Sequence, residues 1–166
     1  ILNQSLKQNI RVVTYQQDEY PKKLKGIFEA PPILFFKGKG HLDFPKTIAI
    51  VGTRDASEYG KKSTEEIVTS LKDHNVQVVS GLAYGIDIAA HKAALKNGLS
   101  TVAVLANSLE TVYPSSHKKV ALEIEETGLL ISEQSFGTVT KPSFFVARNR
   151  IIAALADATI VVESAR

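Results

Sequence analysis

Short apolar runs recur along the chain from residue 47 onwards. Each run is continuous and rich in β-branched residues, a pattern typical of strands that are buried on both faces of a sheet. The five runs are Thr47–Gly52, Val76–Gly81, Thr101–Ala106, Gly128–Glu133 and Ala158–Ser164. Between them, apolar residues return at helical spacing, which predicts helices over Glu58–Asp73, Ile86–Asn97, His117–Glu126 and Phe144–Ala156.

This alternation of strands and helices predicts the fold class. Strands joined by single helices imply right-handed crossovers and a parallel sheet with helices on both faces. We therefore expect an α/β protein, a Rossmann-like three-layer α/β/α sandwich with a mainly parallel sheet. Such sheets bind ligands beyond the carboxyl ends of their strands, so the loops after Val51, Val79, Leu105, Ile131 and Val162 are the expected location of a functional site.

The first 46 residues follow a different pattern. Residues 1–10 are typical of the tail of a preceding helical element, and residues 11–46 combine two short apolar segments with proline-fixed turns. We expect residues 11–46 to form a small extended N-terminal region that packs on the core. The Rossmann-like core is assigned to residues 47–166 and is expected to be incomplete at its C-terminus. A chain without methionine is also not expected to begin at its natural start.

Composition limits the classes of function. The chain has 166 residues, 44% hydrophobic and 22% charged, which is typical of one globular domain. It has no apolar run of roughly 20 residues and no signal-peptide pattern, so we expect a cytoplasmic protein without a membrane span. The lack of cysteine excludes disulfides and thiolate chemistry. Residues 1–62 hold 11 Lys/Arg against 6 Asp/Glu. This excess of positive charge either forms a face that attracts nucleic acid or consists of ordinary solvated lysines.

The loop that follows the first core strand suits an anion. Gly52 would let a phosphate approach the backbone, the next helix would offer its N-terminal N–H groups, and Arg54 would add a bidentate donor. The loop is neither a G-x-G-x-x-G nor a G-x-x-x-x-G-K-[ST] motif, so no dinucleotide or nucleoside triphosphate follows from it. Ser57 is expected to cap the helix whatever else it does.

The loop after the second core strand predicts a second phosphate site beside the first, because two small-residue turns at Ser80–Gly85 open the next helix. Asp87 and His91 follow it, four residues apart on one helical face. They would suit a general-base dyad or a metal pair. We favour the structural alternative, in which a first-turn carboxylate holds a buried histidine.

A third basic segment runs from Lys141 to Arg150. Arg148 and Arg150 flank Asn149 in an otherwise apolar helix, where burying an arginine is costly. Two residues apart on a helix, the two side chains diverge by about 200°, so both cannot serve one contact. We expect one to face a ligand and the other to form a salt bridge or meet a subunit, with helix packing against a carboxylate as the alternative for each.

Together these segments resemble the DprA/Smf family of DNA-processing proteins. The matching motifs occur in family order: YP..L at residues 20–24, AIVGTR..S.YG at 49–60, VVSGLA.GID..AH at 78–91, VYP at 112–114, LLISE at 129–133 and RNRIIAALAD at 148–157. The RNR motif after LLISE is the most distinctive. One departure is Ala106-Asn107-Ser108, where the family usually has a glycine-containing turn, and this puts a ligand contact there in doubt.

The resemblance implies a single-stranded DNA-binding protein that forms a homodimer and loads the RecA recombinase on incoming DNA in natural transformation. It implies no catalysis, no cofactor and no metal. The DNA- and phosphate-binding residues that it implies are Gly52, Thr53, Arg54, Ser57, Ser80, Gly81, Ala83, Lys141, Arg148, Asn149 and Arg150. The alternative is a nucleotide-processing enzyme similar to the lysine-decarboxylase-like phosphoribohydrolases. Glu133 follows a strand as a catalytic glutamate would, but the P-G-G-x-G-T loop of those enzymes is missing.

Overall fold

A seven-stranded sheet organises the chain in a computed structural model that describes residues 8–42 and 44–164. The strands are β1 (Ile10–Thr14), β2 (Ile33–Lys37), β3 (Lys46–Val51), β4 (Val76–Ser80), β5 (Thr101–Val104), β6 (Leu129–Ser132) and β7 (Ala158–Val161). The helices are α1 (Lys22–Lys25), α2 (Glu58–Ser70), α3 (Ile86–Lys96), α4 (Lys118–Thr127) and α5 (Pro142–Leu155), with a 3-10 turn at Ser115–His117 before α4. The predicted helical tail falls mainly on residues 1–7, which lie outside the described residues.

The order of the strands is β1-β2-β6-β5-β4-β3-β7. The five core strands pair in parallel, whereas β1 and β2 pair antiparallel with each other, and β2 pairs antiparallel with β6. The predicted Rossmann-like α/β fold with a mainly parallel sheet is therefore confirmed. The N-terminal region contributes two strands to this sheet, a pairing that the apolar pattern alone does not reveal.

Alternate residues of the core strands pack on opposite faces of the sheet. Ala49, Val79 and Val102 pack with Ile151 of α5 on one face, while their neighbours Ile50, Val78 and Ala103 pack on the other. That second face is covered by α2, α3 and α4, so helices lie on both sides as predicted. Every residue of β4, β5 and β6 is buried.

Strand β7 differs from its expected environment. The sequence pattern predicts a strand buried on both faces, yet Ala158, Thr159 and Val161 are exposed, so that prediction is wrong. The reason is position, because within the described residues β7 pairs with β3 alone and forms the edge of the sheet. No helix between residues 8 and 164, residue 43 aside, is long and apolar enough to cross a membrane.

Candidate functional site

A cavity of about 480 Å³ opens at the carboxyl ends of β3 and β7, beside α5. It lies where ligands bind in open parallel sheets. Of the site residues predicted from the sequence, the cavity brings together Gly52, Thr53, Arg54, Ala83, Arg148 and Asn149. The predicted residues that do not line it are Ser57, Ser80, Gly81, Lys141 and Arg150. Phe145 and Glu163 line it without having been predicted.

The loop after β3, residues 52–57 and here called the β3 loop, is fixed by backbone contacts. The Thr53 N–H donates to the Glu163 carbonyl over 2.7 Å, and the Thr53 carbonyl accepts from the Ile86 N–H over 3.2 Å. A Cβ at Gly52 would stand 2.5 Å from Cγ1 of Ile86. Glycine is thus required at position 52 by internal packing, a reason different from the phosphate approach expected from the sequence.

Arg54 is the exposed cation of the cavity. Its guanidinium carbon lies 5.3 Å from the centroid of the Phe145 ring, within the range of a cation–π contact. In the part of the chain that the structure describes, no ion pair joins Arg54 to a carboxylate. The donors of this guanidinium are therefore available to an anionic ligand.

The N-terminus of α2 is already occupied by a carboxylate. Ser57 Oγ accepts from the Gly60 N–H over 3.0 Å, which confirms the predicted helix cap. Glu163 Oε2 accepts from the Ser57 N–H over 3.0 Å and from the Ser57 hydroxyl over 3.2 Å. An acidic group is favoured at a helix N-terminus. The anion expected at this position is thus supplied by the protein itself.

The loop after β4, residues 80–85 and here called the β4 loop, is also filled by an internal carboxylate. Asp87 Oδ2 accepts from the N–H groups of Gly81 and Ala83 over 3.1 and 3.4 Å. The Ser80 hydroxyl is fully buried and donates to the Ile50 carbonyl over 2.7 Å. Burial raises the pKa of the Asp87 carboxyl, while the nearby charge of Arg148 acts to lower that pKa. The expected second phosphate site is therefore an internal hydrogen-bonded turn.

Arg148 is held inside the same turn. It is 4% exposed, and its Nη1 donates to the carbonyls of Gly81 over 2.6 Å and Val104 over 2.5 Å. A Cβ at Gly81 would stand 2.5 Å from Cζ of Arg148, so this glycine makes room for the guanidinium. Burial lowers the pKa of Arg148, and Asp87 partly offsets this effect on the pKa. Arg148 therefore lines the cavity, but its guanidinium donates hydrogen bonds inside the protein.

Arg150 points away from the cavity. Its Nη1 and Nη2 donate to the two Glu133 carboxylate oxygens over 2.9 and 2.6 Å. The two arginines thus diverge as the helical spacing predicts, with Arg150 as the salt-bridged one. Glu133, the candidate catalytic glutamate of the enzyme alternative, is held by this bridge and does not line the cavity.

Two further predicted residues lie at the surface near the start and middle of α5. Lys141 is exposed at the N-cap position of α5, and Asn149 is exposed one turn before the buried Ile152. Asn149 Oδ1 accepts from Nε of Arg148 over 3.2 Å, so the NH₂ group is the part of this amide that can donate to a ligand. Asn149 therefore lines the cavity, whereas Lys141 is an exposed residue that does not line it.

The expectation that Asp87 holds the buried His91 is wrong, because His91 contacts a different residue. His91 Nδ1 lies 2.8 Å from Thr101 Oγ1, and the Thr101 hydroxyl donates to the Val78 carbonyl over 2.9 Å. Burial, together with the charge of Arg148, lowers the pKa of His91 to about 3. The imidazole is therefore a neutral core group. The Asp87 carboxylate is used by the β4 loop instead.

Two features of the sequence indicate that Phe145 and Glu163 belong to the site. Phe145 precedes Arg148 by three residues and Asn149 by four, so helical spacing places the three side chains on one face. Glu163 follows the last core strand, at the carboxyl edge of the sheet. The Ala106-Asn107-Ser108 turn, by contrast, is buried and does not line the cavity, and Nδ2 of Asn107 donates to the Thr111 carbonyl over 2.7 Å.

Fold and cavity together define a Rossmann-like α/β protein with an exposed arginine and an aromatic ring at the carboxyl edge of its sheet. The chain belongs to the DNA recombination-mediator protein A family, which matches residues 11–166. The resemblance to the DprA/Smf family is thereby confirmed.

Several curated relatives are similar over most of this chain. It is 45% identical to DNA processing protein DprA of Streptococcus pneumoniae over 148 residues, 89% of this chain and 52% of that protein. Protein Smf of Escherichia coli is 37% identical over 95% of this chain and 42% of its own length. The chain thus spans about half the length of the curated relatives it matches.

Solved structures of two relatives share the fold. DNA processing protein A of Streptococcus pneumoniae superposes with a TM-score of 0.86 at 39% identity, covering 97% of this chain and 57% of that chain. DNA processing protein A of Helicobacter pylori, whose structure concerns its single-stranded DNA binding mode, gives a TM-score of 0.82 at 32% identity, over 93% of this chain and 70% of that chain.

Proposed function

We propose that this protein binds single-stranded DNA, without catalysing a reaction, in the cavity at the carboxyl ends of β3 and β7. The observation that carries the proposal is the pair formed by Arg54 and Phe145. An exposed arginine without a carboxylate partner lies against an aromatic ring that lines the same cavity. A phosphate can be bound by the guanidinium while a base stacks on the ring or on the guanidinium plane.

Single-stranded nucleic acid fits this combination better than a duplex. In a duplex the bases are stacked on each other, whereas in a single strand each base is free to stack on a protein ring. Asn149 adds an amide donor at the cavity wall. The single-stranded DNA binding mode of the Helicobacter pylori relative, which has the same fold, supports this choice.

The residues predicted from the sequence divide into two roles under this proposal. Arg54 and Asn149 contact the DNA, and Lys141 adds positive charge beside them. The other predicted residues have structural roles: Gly52 is required by packing, and donors are used inside the protein in Thr53, Ser57, Ser80, Gly81, Ala83, Arg148 and Arg150. Affinity then depends on side-chain cations more than on helix N-termini.

We further propose the partners that membership of the family suggests. These are RecA, which would be loaded on the bound strand in natural transformation, and a second copy of the chain in a homodimer. Both events would take place in the cytoplasm. The name of the matched family, a recombination mediator, supports the first of these.

Substitution of Arg54 tests the proposal. A charge-assisted hydrogen bond in a partly desolvated site contributes about 1.5–3 kcal/mol, so Arg54→Ala should weaken binding of a single-stranded oligonucleotide by about 10- to 150-fold. Loss of one phosphate contact should also reduce the slope of log affinity against log salt by about 0.7. Fluorescence anisotropy at several salt concentrations measures both quantities.

The matched control is Lys46→Ala. This variant also removes one exposed cation, but at the start of β3, the opposite end of the strand from Arg54. It should leave affinity within about twofold of the parent. A folded Arg54→Ala protein with unchanged affinity would exclude the cavity as the DNA site.

A further inference from the structure

We infer that the bound strand continues from the cavity onto an adjoining face, made by Tyr84, Tyr113, Ser116, Lys118 and Lys119 and here called the tyrosine face. This inference rests on the proposed function and extends it from one pocket to a path along the surface. The ligand is the flanking nucleotides of the same single strand. Three observations carry it: ring exposure, continuity with the cavity and unpaired positive charge.

The two tyrosine rings of this face are each about half exposed. Tyr84 is 50% exposed and Tyr113 is 55% exposed, whereas Tyr20 in the core is 1% exposed. Both rings adjoin residues that line one cavity, and exposed apolar groups that cluster mark interaction sites more than singly scattered ones do. A ring with one free face is also the platform on which an unpaired base stacks, whatever its sequence.

Tyr113 joins the tyrosine face to the cavity. Its ring packs edge-on against Phe145, with centroids 5.4 Å apart and an interplanar angle of 66°. Phe145 itself lines the cavity, and the guanidinium carbon of Arg54 lies 5.3 Å from the centroid of the Phe145 ring. The three side chains therefore form one continuous row, so a strand bound at Arg54 passes Tyr113 next.

Tyr84 lies in the β4 loop, on a different segment of the chain from Tyr113. It follows Ala83, which lines the cavity, and its ring packs edge-on against His117 with centroids 4.9 Å apart. The Ser116 hydroxyl donates to the Tyr84 hydroxyl over 3.4 Å. Both tyrosines are thus held at one edge and open to water elsewhere. Because their rotation is already restricted, stacking a base on them costs little additional ordering.

Positive charge completes the face. Lys118 and Lys119 are exposed at the start of α4, and neither is paired with a carboxylate within residues 8–42 and 44–164. The lysines of α2, in contrast, are paired as Lys61–Glu58 and Lys62–Glu66. Two unneutralised cations also lie at the helix end where the dipole disfavours them. A bound anion would remove that cost.

Single-stranded DNA accounts for the exposed rings, their continuity with the cavity and the unpaired lysines. Its free bases and its phosphates alternate along one chain. An acidic protein segment would neutralise the lysines but would leave the rings without planar partners. The tyrosine face should therefore matter only for strands long enough to leave the cavity. Its contribution is separable from that of Arg54 by the length of the oligonucleotide.

The first test compares a short oligo(dT) of about 4 nucleotides with a long one of about 16, the range covered by single-strand binding surfaces. We expect Tyr84→Leu/Tyr113→Leu to reduce affinity for the long strand by about tenfold or more. This corresponds to the usual effect of losing a stacked base. The loss for the short strand should be clearly smaller.

The second test replaces charge only, and it remains decisive if the tyrosine variant does not fold. Lys118→Gln/Lys119→Gln should reduce the salt slope of long-strand binding by about 1.4, or 0.7 for each phosphate contact. The matched control is Lys46→Gln/Lys72→Gln, which makes the same charge change. Lys46 is exposed at the start of β3 and Lys72 is exposed just after the end of α2, so both lie away from the loop that joins these two elements at the cavity. It should leave the slope unchanged.

The outcomes distinguish the two proposals. If Arg54→Ala weakens binding at both lengths but the folded tyrosine and lysine variants bind both strands like the parent, the tyrosine face is excluded and the cavity stands. If Arg54→Ala binds the short strand normally, the cavity fails. A tyrosine variant that loses equal affinity at both lengths would also overturn the proposed path, because the rings would then act on the cavity itself.

Discussion

The β3 loop and the β4 loop follow neighbouring parallel strands, and both combine a glycine with the start of a helix. Their donors are used in opposite ways. The β3 loop exposes Arg54 toward the cavity. In the β4 loop, backbone groups of Gly81 and Ala83 turn inward, where Asp87 accepts from both N–H groups and Arg148 donates to the Gly81 carbonyl.

The position of each strand in the sheet explains the difference. Strand β4 lies between β3 and β5, and α5 covers its end with Arg148. Strand β3 lies between β4 and β7, and Arg54 in the loop at its end is exposed toward the cavity instead of being enclosed by α5. A glycine loop before a helix is thus an anion site only where the protein itself has not supplied the anion. Here Asp87 and Glu163 have done so.

Replacing the buried arginine should have the largest effect on stability. Arg148→Met keeps the apolar stem but leaves the Gly81 and Val104 carbonyls without their donor. Each unsatisfied buried group costs about 1–3 kcal/mol, so for two groups we expect the free energy of unfolding to fall by about 2–6 kcal/mol. Urea unfolding measures it.

Arg54→Met is the matched control, because the same residue type is replaced at the exposed loop. It should change the free energy of unfolding by less than about 0.5 kcal/mol. The contrast between the loops would break down if Arg148→Met unfolded like the parent and lost DNA binding, since Arg148 would then be a ligand contact.

Acid should destabilise the protein through His91, which lies beneath the β4 loop. The unfolded chain protonates this group near its ordinary pKa of 6.5, whereas the folded protein holds the pKa at about 3. The unfolded state therefore binds more protons, and stability is lost as the pH falls below 6.5. The loss from this group amounts to at most about 1.4 kcal/mol per pH unit.

Unfolding of the parent and of His91→Gln between about pH 7 and about pH 5 isolates this contribution. Asp87 acts in the opposite sense, because its raised pKa makes its contribution largest at low pH and lost as the pH rises. Asp87 is present in both proteins, so the difference between their slopes reports on His91. Equal slopes would show that His91 is solvated in the folded state.

The fold could be predicted from the sequence where the signal was local. Strands β4, β5 and β6 were predicted to within two residues, because continuous β-branched runs are typical of strands covered on both faces. Strand β7 carries the same kind of run, yet its exposure depends on its neighbours in the sheet. Local pattern does not contain that information.

The site was predicted in part, for the same reason. Arg54 follows a strand and a glycine, so position alone identified it. The occupant of the α2 N-terminus could not be found this way, because Glu163 lies 106 residues from Ser57 in the chain. Helical spacing places Phe145 on the same face of α5 as Arg148 and Asn149, but an aromatic ring at this spacing is equally typical of a core position.

Ser57 provides the smallest and most specific test of the contrast, because the family resemblance implies a DNA contact for a residue whose hydroxyl caps α2, as the sequence predicts. Ser57 Oγ accepts from the Gly60 N–H and donates to Glu163. Ser57→Ala removes both bonds, and losing such a cap typically costs about 1 kcal/mol. For a domain of this size, that lowers the melting temperature by about 2–4 °C.

Ser57→Asn separates the two roles of Ser57, since asparagine is an equally good cap but places a different group at this point of the loop. If the hydroxyl is structural, Ser57→Asn should recover most of the lost melting temperature, and both variants should bind single-stranded DNA within about twofold of the parent. If the hydroxyl contacts a phosphate, both variants should lose several-fold affinity whatever their stability. That second result would mean that DNA displaces Glu163 from the start of α2, and that the β3 loop uses its helix N-terminus as well as Arg54.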